Sequence, residues 1–359
     1  MAFVSLTHHK MEAMLEALAA PADHSMWMLA ADRPLPSLKP RSLQGISPEP
    51  ARQHFVMAHH RPHAGKLGIV TGGSRGIGAA VARRLAAKGC NLLLVFTSDS
   101  SKEPTQRLCD ELSSGCAIHC SLVQADLSKA ADASPKIVEA ARSFFSTYSP
   151  DGVFQIDILV NNAGVSSNQH MNDPEHGPIV EAEFQRVYAV NVLAPLLLTQ
   201  AVATHLPTDR SGRIVNVSSV SSSIGYQGQS VYAGSKAALE AMTRTWSREL
   251  AGRATVNAVN PGPAWGDMYA EAGPTFWTIN QPYVDAAPLA QYDGEEDVLA
   301  MAGDDAGRFD QTVRGSMGGR RPGFTVEIAG TIEMLCSEES GWTTGSVICA
   351  NGGMKMSIA

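Results

Sequence analysis

From Lys66 onward, short apolar runs alternate with longer stretches in which apolar residues recur every three or four positions. The runs at 67–70, 91–96, 121–125, 156–160, 213–217, 255–259 and 345–350 are mostly β-branched or leucine-rich. They are bounded by glycine or polar residues, which predicts strands buried on both faces. Helical spacing is predicted at 77–88, about 134–145, 181–206, 232–250 and 324–336. Strands separated by helix-length sequence pair in parallel, because each connection must cross over the sheet. The expected fold class is therefore α/β, with a doubly wound, mostly parallel sheet covered by helices on both faces across 65–359.

Two segments break this alternation. Residues 267–322 are polar, interrupted by glycine and proline, and carry the acidic runs Asp293-Gly-Glu-Glu-Asp297 and Asp304-Asp305. An insertion of this size, about 265–322, is expected to act as a substrate lid. Its Trp265, Tyr269, Phe276, Trp277, Tyr283 and Tyr292 suit an apolar or aromatic substrate, or else they pack to hold the insertion down. The pattern leaves both open. Residues 1–64 hold seven of the eleven histidines and seven prolines. Met11, Met14, Leu15 and Leu18 fit a short amphipathic helix at 9–20, and the prolines beyond it forbid a longer element. A poorly structured, flexible N-terminal extension is expected there.

Composition narrows the function classes. The chain has 359 residues, 44% of them hydrophobic, enough for one large core. Its net charge is −7 with no Lys/Arg block, so a nucleic-acid partner is not expected. No run reaches the length of uncharged apolar sequence that a membrane span needs. The six cysteines show no CxxC spacing, and Cys116 and Cys120 have only His119 between them as a further ligand. No metal site is expected. Free thiols and the lack of a secretory-type apolar segment point to the cytoplasm. A mitochondrial address is the lesser alternative, weakened by Glu12, Glu16, Asp23 and Asp32.

Two clusters carry chemistry. Thr71-Gly-Gly-Ser-Arg-Gly-Ile-Gly78 lies between the first strand and the first helix. Gly72, Gly76 and Gly78 permit a tight turn and close backbone approach, and the helix N-terminus offers free N–H groups to a pyrophosphate. The second strand ends Phe96-Thr97-Ser98, where an NAD site usually places an acid, while Arg75 can offer a guanidinium to a 2′-phosphate. NADP(H) is therefore preferred over NAD(H). Thirteen residues after Ser219 stands Tyr232-Ala-Gly-Ser-Lys236. The Tyr and Lys, four apart, share a helix face, where an ammonium would lower the phenol pKa, and Ser219 is placed to bond a substrate oxygen.

From about Lys66 to Met356 these motifs resemble the short-chain dehydrogenase/reductase family, in its compact, single-domain, 3-oxoacyl-reductase-like form. The resemblance implies a Rossmann-type fold and a catalytic tetrad of Ser219, Tyr232, Lys236 and Asn191, the last holding a water that relays protons to Lys236. It implies cofactor contacts from Gly72, Ser74, Arg75, Gly76, Ile77, Gly78 and Ser98. Asp126 and Leu127 would meet the adenine, Asn162, Ala163 and Gly164 the ribose, and Pro261 and Gly262 the nicotinamide, together with Tyr232 and Lys236. It further implies an NADPH-dependent reductase interconverting a ketone and a secondary alcohol, assembled as a homo-dimer or homo-tetramer through the helices near 181–206 and 232–250. An NAD-dependent alcohol dehydrogenase and a non-catalytic dinucleotide-sensing scaffold are the alternatives. The chain departs from the family at Gly266, which stands where a threonine often serves the carboxamide, and in the length of the following insertion.

Overall fold

The structure, a computed structural model, describes residues 61–270 and 273–356. Seven parallel strands form the central sheet: β1 (Leu67–Thr71), β2 (Asn91–Phe96), β3 (Cys120–Gln124), β4 (Ile158–Asn161), β5 (Gly212–Val217), β6 (Ala254–Pro261) and β7 (Val347–Ala350). Their order is β7-β6-β5-β4-β1-β2-β3. Leu67, Ile69, Leu92, Leu94, Leu159, Ile214 and Val256 are shielded on both faces, which is why these strands read as unbroken apolar runs. The order reverses between β1 and β4, where open α/β sheets present a crevice at the carboxyl ends of their strands.

Helices α1 (Gly76–Ala87) and α2 (Lys102–Cys116) cover one face together with α10 (Thr325–Cys336), through Val81, Leu85, Leu108, Leu112, Ile328 and Ile332. The other face is covered by α3 (Ala130–Tyr148), α5 (Ala194–Ala203) and α6 (Ser230–Glu249), through Ile137, Ala141, Leu198, Val202, Leu239 and Trp246. The expected doubly wound α/β architecture is present.

Several expectations change in detail. The helix predicted over 181–206 is two helices, α4 (Glu181–Tyr188) and α5, joined by one π turn at Ala189–Leu193. By length and mean hydropathy, 1.3, the run Glu181–Ala203 would suffice to cross a membrane, and just under half of it is buried in this fold. The insertion carries α7 (Gly273–Asp285), α8 (Glu296–Ala302) and α9 (Ala306–Ser316). Residues 61–64, assigned to the extension, belong to the sheet domain. Arg61 donates to the carbonyls of Cys116 and Ala117, and His63 is fully buried with its N–H on the Lys88 carbonyl. The predicted helix at 9–20 and the remaining histidines of the extension lie outside the described residues.

Candidate active site

The turn after β1 is built to receive an anion. Gly72 and Gly76 adopt positive φ, +63° and +57°, which a residue with a Cβ resists. A Cβ on Gly78 would run into the Gly72 carbonyl oxygen, so glycine lets the helix start against the turn. Helix α1 has no side-chain cap and no acid in its first turn, leaving its first N–H groups for a ligand. Ser74 and Ile77 are half-buried on this turn, while Arg75 and Gly76 are exposed. The donor set and the open backbone fit a dinucleotide phosphate.

Behind the turn, the Thr71 hydroxyl accepts from the backbone N–H groups of Asn162 and Ala163, each at 3.0 Å. The Asn162 side chain returns bonds to the carbonyls of Thr71 (2.9 Å) and Gly72 (3.2 Å). The two segments at the switch point are thereby locked together. Asn161 instead points into the core and donates to Asn216 at 2.9 Å. Gly164 is exposed beside them.

At the end of β2, the Ser98 hydroxyl joins those of Ser100 and Ser101, at 2.9 and 3.1 Å. The neighbouring acid, Asp99, is held by Gln124 at 2.9 Å. Asp126 caps the turn that follows β3, accepting from the Ser128 N–H (3.0 Å) and hydroxyl (2.8 Å), which hold its carboxyl below the usual range. Leu127 commits its side chain to the core and leaves only its backbone for a ligand.

The four residues of the expected tetrad converge at the carboxyl ends of β4 and β5. Asn191 sits in the π turn, fully buried; its amide oxygen accepts from the Val165 N–H (2.9 Å) and its nitrogen donates to the Val165 carbonyl (2.9 Å) and Ser235 (3.0 Å). Single π turns recur at functional sites because the extra residue re-aims side chains. The Lys236 ammonium donates to the Val217 carbonyl at 2.9 Å and stands 5.8 Å from the centre of the Tyr232 ring. A Cβ added to Gly164 would lie 3.2 Å from Lys236 Nζ and 3.3 Å from Asn191 Oδ1, so glycine keeps that approach open. Such a cradle fits the ribose of a nicotinamide. Ser219 is half-buried just past β5, its hydroxyl bonded to that of Ser221 at 3.0 Å.

Burial pushes the Tyr232 phenol up, and the facing Ser219 hydroxyl pulls against that rise. The depression expected from Lys236 is absent. Burial lowers the lysine itself to about 8, with Glu240 opposing that shift, so at neutrality it is still mostly charged.

Residues 66–275 match the family described as short chain dehydrogenase. The chain belongs to the short-chain dehydrogenase family. It is 74% identical over 302 residues to an L-xylo-3-hexulose reductase of Hypocrea jecorina, covering 83% of this chain and 99% of that protein. It is 56% identical over 294 residues to an L-xylulose reductase of Aspergillus niger, covering 81% and 97%. Among solved structures, a blue fluorescent protein from a metagenomic library in complex with NADPH shares 29% identity with a TM-score of 0.65, over 82% of this chain and all of that one. As a member of this family the protein is an oxidoreductase acting on CH–OH and C=O groups of small molecules, using a nicotinamide dinucleotide.

Within the family pattern, the residues after β6 need comment. Pro261 ends the strand buried, and a Cβ on Gly262 would lie 3.1 Å from the Asn351 backbone; close packing alone therefore explains that glycine. Residues Ala264–Trp265 pair in parallel with Gly323–Phe324, tying the two ends of the insertion together. Its rings fill a core of their own: Trp265, Tyr269, Trp277, Tyr292, Phe309 and Phe324 are all buried. Phe276 packs against this core, whereas Tyr283 lies outside it, half-buried with its ring 4.2 Å from that of Tyr226, so packing accounts for all of those aromatics but Tyr283. Among the described residues no group of His, Cys, Asp or Glu could hold a metal ion.

Sequence reasoning missed Thr71 as the hub of the switch point, and it missed Glu240. An acid four residues beyond a lysine on a helix reads as an ordinary solvated pair. Glu240 is only 3% exposed and accepts from Ser218, Ser222 and Asn260. The one available signal was that serines flank Ser219 on both sides.

Proposed function

We propose that the protein is an NADP(H)-dependent reductase of a short polyhydroxy ketone, with Ser219, Tyr232, Lys236 and Asn191 as its tetrad. The observation that carries the chemistry is the convergence of Tyr232, Ser219 and Lys236 beside the Gly164 cradle. When bound, the nicotinamide supplies hydride to the carbonyl carbon. Tyr232 gives its phenolic proton to the carbonyl oxygen, and Ser219 steadies that oxygen as charge develops. Lys236 holds positive charge beside the phenol and bonds the ribose. Asn191, pinned on both sides, keeps the 162–165 segment in place and supports the proton relay to Lys236. Ser74, Arg75, Gly76, Ile77 and the α1 N-terminus take the phosphates, with Arg75 and Ser98 on the 2′-phosphate.

A ketose is favoured on two grounds. The two relatives are named as an L-xylo-3-hexulose reductase and an L-xylulose reductase. Beside Tyr232, the loops at 165–170 and 225–229 meet through polar groups, with the Gln169 N–H on Gly228 (2.7 Å) and Gln229 on Asn168 (2.8 Å). Gln229 Oε1, three residues before Tyr232, is buried without a partner among the described residues and offers an acceptor to a substrate hydroxyl. An apolar substrate has less support, since the lid aromatics other than Tyr283 are spent on packing. The exposed Val180, Phe184 and Leu193 support assembly of copies through α4 and α5, and the free cysteines suit the cytoplasm.

The test is NADPH oxidation with five- and six-carbon ketoses against apolar ketones of equal size. Ketoses should be reduced with the higher kcat/KM. Tyr232→Phe should lose turnover about a hundredfold to ten-thousandfold while still quenching NADPH fluorescence on binding. Near-normal turnover in that variant, or preference for the apolar ketones, would overturn the proposal.

A further inference from the structure

Glu240 stands outside the tetrad, yet it is bonded to both strand ends that carry the chemistry. It lies on α6 one turn beyond Lys236 and is almost fully buried. A carboxylate removed from water is costly unless donors and a counter-charge surround it. Here one oxygen, Oε1, takes the Ser218 hydroxyl at 2.6 Å, the Ser222 hydroxyl at 2.7 Å and the Asn260 amide at 3.0 Å. Ser218 precedes Ser219 and Ser222 follows it by three residues. Asn260 precedes Pro261 and also donates to the Ser219 carbonyl at 2.7 Å. The carboxylate thus gathers the end of β5, the Ser219 turn and the end of β6 onto the helix that carries Tyr232 and Lys236.

Its charge reaches the lysine as well. Burial drives Lys236 toward its neutral form, and Glu240 opposes that shift. The titratable groups around the pair are few: Tyr232 on α6 faces Lys236, and Cys349 on β7 faces Glu240. The ends of β5 and β6 present hydroxyls and amides to it.

We propose that Glu240 is a positioning residue for the reduction: its carboxylate fixes the backbone that carries Ser219 and holds positive charge on Lys236. This rests on the ketone-reductase reading of the same site. A purely structural acid would leave the pH behaviour of the lysine untouched, and that separates the two roles.

The experiment compares Glu240→Gln, which keeps the shape and loses the charge, with Glu240→Asp, which keeps the charge and loses one methylene of reach. In the wild type, kcat/KM should fall as pH rises through about 8, as Lys236 loses its proton. Glu240→Gln should move that limb down by about one pH unit, so that kcat/KM falls about twofold at pH 7 and about tenfold at pH 9. Glu240→Asp should leave the limb in place and lower kcat without raising KM. NADPH affinity, read by fluorescence across the same pH range, should show the same displacement in Gln and none in Asp. An unmoved limb in Gln, or equal displacement in both, would overturn the proposal. If Gln does not fold, the Asp variant still decides it, since a shifted limb there is fatal. Should the wild type reduce no ketose, that reading fails separately, and the cofactor-affinity arm still reports on Glu240.

Discussion

Cofactor choice rests on single residues. Arg75 is exposed on the phosphate turn, and among the described residues its side chain makes no hydrogen bond or ion pair, leaving its guanidinium for a ligand anion. Ser98 offers a hydroxyl where an acid would meet a 2′-hydroxyl, and Asp99 accepts from the Gln124 amide. A charge-assisted contact to a 2′-phosphate is typically worth a few kcal/mol, so the wild type should prefer NADPH over NADH by roughly tenfold to a thousandfold in kcat/KM. Arg75→Ala with Ser98→Asp should narrow or invert that ratio, by removing the cation and adding an acceptor that repels phosphate. Steady-state rates with both cofactors check it, and a wild type indifferent between them would count against the Arg75 assignment. At this scale the sequence is most legible where a residue type has one plausible job, as with Tyr232 and Lys236. It is least legible at Thr71 and Glu240, whose roles depend on what they face across the sheet.

At the scale of elements, the segment at 61–65 shows what sequence patterning could and could not reveal. It precedes the first apolar run and carries no periodicity, yet it seals the amino-terminal edge of the sheet. His63 there is fully buried, and among the described residues neither ring nitrogen has a hydrogen-bond partner. Burial, aided by Lys66 and Lys88, lowers its pKa to about 4, and Glu338 opposes that shift without cancelling it. The folded value lies below the unfolded one near ~6.5. Its contribution to stability is therefore complete above that pH and is lost as pH falls toward about 4. Urea midpoints should drop between pH 7 and pH 4.5 by more in the wild type than in His63→Leu. The difference should approach about 3 kcal/mol at the foot of the window; parallel profiles would show that the ring is protonated in the fold. Elsewhere the strands were legible because burial on both faces leaves no ambiguity. Helix α2 was not, since its inward stripe of Thr105, Leu108, Cys109 and Leu112 mixes a hydroxyl and a thiol with leucine. The π turn was also invisible, because helical periodicity does not reveal one surplus residue that the winding absorbs.

For the whole molecule, the proposed assembly of copies would use the exposed apolar residues of α4 and the π turn. Phe184, exposed and stacked on Tyr188 at 4.0 Å between ring centres, and Leu193 face outward from α4 and the π turn. Phe184→Asp with Leu193→Asp should shift the protein toward monomer by light scattering, with circular dichroism unchanged; an unmoved mass would place the contact elsewhere. The insertion after β6 occupies a territory of its own. Its ends are fastened side by side by the pairing of Ala264–Trp265 with Gly323–Phe324, and its aromatic residues pack on one another. Such a segment is a cassette in the evolutionary sense. Because both ends leave and return side by side, its length can drift across generations while the strand ends that carry Ser219 and Asn260 stay where they are.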